Sequence, residues 1–289
     1  MFSARSLAAD LDAVRETHAP GSPVIDVDSD FETIPPAAAE DLGLFVDGLA
    51  PASFPLDWLP EDVPELLRRY AGPTFTVGLP GDGTVVRTTQ TDPPTVLVKK
   101  RAEGTPDGFL ALLIADRLVQ IGVTPVDGSL PDDTPQGRLP ESFLPFFGER
   151  YRDLDAAVRR PDPDTGASTT GHGSSDVFQV AAALFDAWAG LYTRDVFASW
   201  EGRHSRLFDA WVDAGDRLEG RLGDLSREVA RGETDFASAT EYACSAVRHG
   251  LDLPAPFAAL DTAAYRDRGA PYAVKWAEKT FESMVDDES

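Results

Sequence analysis

The sequence predicts an α+β fold in which helices predominate, a small three-stranded antiparallel sheet followed by a helical bundle. Two observations carry that prediction. β-Branched residues crowd one stretch, residues 74–100, which two turn-rich segments divide. From Pro140 onward apolar residues recur instead at three- and four-residue steps, the period of a helix that buries one face.

The spacing of Leu7, Leu11 and Val14 predicts an amphipathic helix over 3–18 with Ser3 as its N-cap. A proline-punctuated stretch follows, with a short apolar element at Val24 and Ile25 and a helix over 36–46. A further helix over 61–70 stops before Gly72 and Pro73. Three strands are expected at 74–79, 84–89 and 95–100, joined through Pro80-Gly81-Asp82-Gly83 and Thr91-Asp92-Pro93-Pro94. Turns this short favour an antiparallel meander. So small a sheet must bury one face, and a helix over 107–121 is placed to cover it.

The second half reads as helices at 142–160, 175–200, 203–230, 234–249, 254–265 and 271–285. Phe143, Phe146, Phe147 and Tyr151, and later Phe178, Phe185, Trp188 and Tyr192, form the aromatic core of that bundle. Trp211, Leu218, Leu222, Leu225 and Val229 make a seam expected to face the 175–200 helix across the short turn at Glu201-Gly202. An α+β portion therefore spans 1–130 and a bundle spans 138–289, either as separate domains or packed as a single unit.

Composition speaks to setting. There are 49 acidic and 26 basic residues, a net charge of −23, only four lysines and no asparagine. Such a chain repels itself in dilute buffer, whereas molar salt shortens the screening length to about 3 Å. This balance fits a salt-rich cytoplasm. It argues against nucleic acid as a partner, because no basic stripe offsets the repulsion from a polyanion. The single cysteine, Cys244, leaves no internal disulfide and no cysteine-based zinc site, and its helical context reads as a small buried hydrophobe. The start lacks the apolar run of a secretory signal. The most apolar run, 108–123, is broken by Asp116 and Arg117 and is too short for a bilayer. A cytoplasmic protein without membrane partners is expected.

Candidate chemistry is sparse. Asp26, Asp28, Asp30 and Glu32 alternate on an extended segment, so they share a face that could hold a divalent cation. The calcium-loop pattern fails there, since Phe31 stands where glycine is needed and Ala37 where the closing acid belongs. The Asp26-x-Asp28 pair resembles the first motif of haloacid-dehalogenase-type phosphatases, but no βαβ alternation follows it. The hairpin at 78–83 with Lys99 resembles a kinase N-lobe, yet no catalytic loop and no asparagine for a metal exist downstream. Lys99, Lys100 and Arg101 gather half the lysines at one strand end, a candidate anion site or part of a salt-bridge network. His172 lies in a glycine- and serine-rich loop before a helix, the nearest approach to a nucleophile–base arrangement. No metal site and no cofactor are assigned.

Across its length the chain resembles an uncharacterised haloarchaeal family of unknown function, through Met1-Phe2-Ser3-Ala4-Arg5-Ser6-Leu7, Gln90-Thr91-Asp92-Pro93-Pro94-Thr95 and Pro145-Phe146-Phe147-Gly148-Glu149-Arg150-Tyr151. The resemblance implies a salt-loving host and transfers no catalytic residues. A non-catalytic interaction or scaffold protein is therefore expected, acting with a protein partner or a second copy of itself. The alternative is an enzyme with a non-standard site, divalent-metal-dependent or not, built from Asp26, Asp28 or His172.

Overall fold

In the computed structural model, which describes residues 2–70, 77, 83–123, 138–162, 165 and 167–287, the chain begins with a strand. β1 (Phe2–Ala4) lies antiparallel to β2 (Val24–Val27), with Phe2 opposite Val27 and Ala4 opposite Ile25. The ladder takes up the backbone of residues 2–4, so the first helix, α1 (Ala9–His18), starts later than its apolar spacing predicts. Ser3 is accordingly a strand residue and not an N-cap.

α2 (Pro36–Leu42) opens on a proline, which tolerates the first turn because its missing N–H has no partner there anyway. β3 (Gly48–Leu49) and α3 (Glu65–Tyr70) follow. The expected 61–70 helix is short because Pro64 can precede a helix but cannot sit inside one. Then come β4 (Val85–Thr88), β5 (Thr91–Asp92) and β6 (Thr95–Val98).

β4 and β6 pair antiparallel as expected, with Val85 opposite Val98 and Thr88 opposite Thr95. The sheet itself is mixed. Its order is β1-β2-β6-β4, and β2 runs parallel to β6. Among the described residues the expected antiparallel meander gives way to a mixed four-stranded sheet, of which the antiparallel β4–β6 pair is the part foreseen. Short turns dictate pairing only between strands they join, and β2 reaches β6 across a long connection that permits parallel pairing. The predicted strand at 74–79 lies outside the described residues except for Val77, which is buried. β3 and β5 form a separate two-stranded pair.

Side chains alternate across this sheet. Val24, Val85, Val96 and Val98 pack with α1 and with α4 (Asp107–Gly122), whereas Ile25, Val27, Val86 and Leu97 pack with Ile34, Leu42 and Val77 on the other face. α1 and α4 cross closely: a Cβ on Gly122 would stand 2.1 Å from the His18 carbonyl oxygen, so only glycine fits.

The rest is helical. α5 (Phe143–Phe147) and α6 (Tyr151–Arg159) replace the single helix expected over 142–160, with a tight 3₁₀ turn at Gly148–Arg150 between them. α7 (Ser174–Ala198), α8 (Ser205–Ala230) and α9 (Phe236–Val247) follow. α10 (Ala263–Arg268) is capped by the Thr262 hydroxyl, which accepts from the Tyr265 amide at 3.2 Å, and α11 (Ala270–Asp287) closes the bundle.

One packing expectation is corrected. α7 does not pair along its length with α8 but packs chiefly on α9, with α6 and α5 beside it. Its buried residues run right around the helix, as the consecutive Ala187, Trp188, Ala189, Gly190 and Leu191 show, so it is central to the bundle. α8 carries one apolar stripe. It meets α7 near Phe197, Trp200, Leu207 and Trp211, then leans on α4 and α9, burying Leu222 and Leu225. Because α7 and α8 diverge, a space opens between them.

Candidate functional site

That space is a cleft of about 650 Å³, walled by α4, α7, α8, α9, β4 and the segment 141–143 that leads into α5. Its volume falls in the range of small-molecule sites. One side is apolar, with Phe109 and Leu113 of α4, Phe178 and Ala182 of α7, and Trp211 and Leu218 of α8. The other is charged.

Arg87 anchors the charged side. In β4 it shares a face with Val85, two residues before, and so points toward α4. Its Nε donates to Gln120 Oε1 at 3.1 Å, and its Nη2 donates to the carbonyls of Pro140 and, at 3.4 Å, Leu139. It is only 5 % exposed, and among the described residues it makes no ion pair. Burial, and after it the neighbouring Arg117, pull its guanidinium down to about 10.

α4 supplies Asp116, Arg117 and Gln120, which follow Phe109 and Leu113 at helical spacing and therefore share a face. Gln120 is held at both ends of its amide. Its Oε1 also accepts from Arg117 Nη1 at 3.2 Å, and its Nε2 donates to Asp116 Oδ2 at 2.9 Å. Arg117 Nε donates to the Val85 carbonyl at 3.0 Å, tying α4 to β4.

Arg248, which caps the C-terminal end of α9, reaches Asp116 Oδ2 at 3.2 Å and Asp186 Oδ2 on α7 at 3.7 Å. A cation there also opposes the helix dipole. Asp116 Oδ1 and Arg248 Nε are buried without hydrogen-bond partners among the described residues. His249 stacks on Trp211, with ring centroids 5.6 Å apart, and the Trp211 indole N–H donates to the Arg248 carbonyl at 3.1 Å. This arrangement depends on Gly215, where a Cβ would come within 3.2 Å of His249 Nδ1. Burial, with Arg248 beside it, depresses His249 to about 4.

Glu141 completes the wall. Its carboxyl accepts from Gln90 Nε2 at 3.1 Å and from Thr89 Oγ1 at 3.2 Å, and burial pushes it up. Next to it the Ser142 hydroxyl accepts from the Tyr70 hydroxyl at 2.5 Å. Among the described residues no serine, threonine or cysteine side chain is hydrogen-bonded to a histidine ring.

The residues singled out from sequence lie elsewhere. Asp26 on β2 pairs with Arg5 at 2.7 Å, Asp28 is exposed just beyond that strand, and Asp30 accepts from the Arg101 amide at 3.1 Å and its Nε at 3.0 Å. Arg101 holds the Asp30 carboxyl below its usual range. Lys99 is fully buried, with its ammonium 5.9 Å from the centre of the Phe31 ring, and Lys100 is exposed. The acidic run and the basic run therefore meet at the C-terminal end of the parallel β2–β6 pair. His172 stands apart before α7, 3.7 Å from the Asp176 carboxylate and edge-on to Phe281. None of these residues lines the cleft. Among the described residues no three His, Cys, Asp or Glu side chains come together as metal ligands, and no helix is long and apolar enough to cross a membrane.

The cleft's charged residues did leave a trace in the sequence. Asp116 and Arg117 interrupt the most apolar run of the chain, and charge inside an otherwise buried helix is expensive unless it is used. Arg87 between β-branched residues gives a similar signal. Arg248 and His249, at a helix end, give none.

Fold and cleft together define a predominantly helical α+β protein with a charged, partly enclosed pocket between its halves. Residues 1–284 match the model of a family of unknown function, DUF7089, and the chain belongs to that family. No curated protein and no solved structure matches it.

Proposed function

We propose that this is a non-catalytic binding protein that encloses a small molecule in the cleft between α4, α7, α8 and α9. The observation that carries the reading is Arg87, a buried guanidinium in the cleft wall that hydrogen-bonds only to neutral acceptors, with Glu141 and Asp116 nearby but neither paired to it. A buried charge with no directly paired carboxylate is costly, and a ligand anion that reaches it offsets part of that cost. Both halves of the chain line the cleft, which supports their acting as one unit. The acidic, lysine-poor composition supports a salt-rich cytoplasm of the haloarchaeal kind as the setting.

The enzyme reading has Glu141 in its favour. A buried carboxyl with a raised pKa is what proton transfer uses, but the hydroxyls beside it are Thr89, bonded to Glu141 itself, and Ser142, bonded to Tyr70, and among the described residues neither pairs with a histidine.

Native mass spectrometry of the full chain tests the proposal. We expect a small-molecule mass above that of the polypeptide. Ala182→Trp, which fills the apolar side, should lose that mass while keeping its helical circular dichroism. A protein partner recovered in stoichiometric amounts from high salt, with no small mass bound, would replace this reading with a scaffold.

A further inference from the structure

We infer that the cleft selects an amphiphilic organic oxyanion, its carboxylate or phosphate head at Arg87 and Arg117 and its apolar body along Phe109, Phe178 and Trp211. This rests on the small-molecule reading above and adds the chemistry of the ligand. Two guanidiniums, Arg87 and Arg117, donate to the same neutral atom, Gln120 Oε1, at 3.1 and 3.2 Å. Like charges brought this close in a buried wall repel unless an anion lies between them. Among the described residues Arg117 has one carboxylate within ion-pair distance, Asp116 at 3.7 Å, which already serves Gln120 and Arg248, and Arg87 has Glu141 and Asp116 near it with neither paired to it. Guanidinium groups match oxyanions geometrically, two N–H donors to two oxygens, and charge-assisted bonds of this kind are the strong ones.

The acids around the cleft do not make a cation site. Asp116 and Asp186 both turn to Arg248. Glu141 accepts from Gln90 and Thr89, and burial favours its neutral form. A polymeric anion is excluded by the net charge of −23 and by the partly enclosed shape. The apolar half of the wall calls for a ligand with a hydrocarbon or aromatic body, since inorganic phosphate alone would leave that surface wet.

The test is calorimetric titration of the full chain in molar KCl with four eight-carbon probes: octanoate, octyl phosphate, 1-octanol and octylamine. We expect at least one of the two oxyanions to bind at least about tenfold more tightly than the alcohol or the amine. Preference between octanoate and octyl phosphate separates a carboxylate ligand from a phosphate one. Arg117→Gln should weaken the oxyanions at least about tenfold and leave 1-octanol unchanged. Arg117 is the variant of choice because it holds one backbone carbonyl, that of Val85, whereas Arg87 holds two, at Leu139 and Pro140. If octylamine or 1-octanol binds as tightly as the oxyanions, or if Arg117→Gln binds octanoate like the parent, the oxyanion assignment is overturned while small-molecule binding stands. Absence of heat with all four probes, together with no bound mass in the native spectrum, overturns both.

Discussion

Among single residues, His249 shows how burial turns an ordinary side chain into a pH-sensitive contact. Its imidazole is stacked on Trp211 beside the Arg248 guanidinium, an environment that penalises a second positive charge. The folded pKa of about 4 lies below the ordinary 6.5, so the unfolded chain binds the proton first. Stability from this group is present above pH 6.5 and is lost as pH falls toward 4. The shift corresponds to roughly 3 kcal/mol across that window. Glu141 and Asp155 oppose it, because burial raises their carboxyls and protonating them favours the folded state as pH drops. The readable quantity is therefore a difference. Urea midpoints of the parent and of His249→Gln, measured from pH 7.5 to 4.5 at constant KCl, should converge as the pH falls. Parallel curves would show that His249 titrates as an exposed histidine does.

Elements were legible wherever periodicity and punctuation agreed. α4, α7, α8 and α11 lie within two residues of their apolar patterns, because a helix that buries one face or all faces writes its period into the chain. β4 and β6 paired as a hairpin because a short turn leaves no alternative. β1 was not legible: three residues carry no period, and strand pairing came from β2, twenty residues away. The partner of α8 was misjudged for a related reason. A stripe shows that a face is buried without showing against what, and α9 took the place expected for α7. The stripe is nonetheless core, with Leu222 and Leu225 both buried. Leu222→Ala should cost about 2–5 kcal/mol, and Leu222→Asp should abolish soluble folding. A Leu222→Asp protein that melts like the parent would show that this end of α8 is held by something other than its apolar side.

For the whole molecule, charge dominates. Surface ion pairs such as Arg206 with Asp10, at 2.7 Å, and Arg101 with Asp30 neutralise a few carboxylates, but the chain still carries −23. Individually such pairs contribute little. The melting temperature should rise steeply as KCl increases toward molar concentration, and the protein should loosen below a few tenths molar, because carboxylate repulsion is then less screened. A sharp melt in dilute buffer that does not move with salt would refute this.

The sequence by itself determined the class of fold, most of the helices, the antiparallel β4–β6 pair and the acidic character of the surface, since each follows from local period, turn chemistry or simple counting. Only the tertiary structure decided where the chemistry converges. Arg87, Asp116, Glu141 and Arg248 lie far apart in the chain and match no motif of fixed spacing. They meet because α4 packs against β4 and because α9 displaces α8 from the side of α7. Which burial partner an amphipathic face takes depends on the shape and volume of every other face, and that is a property of the assembled molecule.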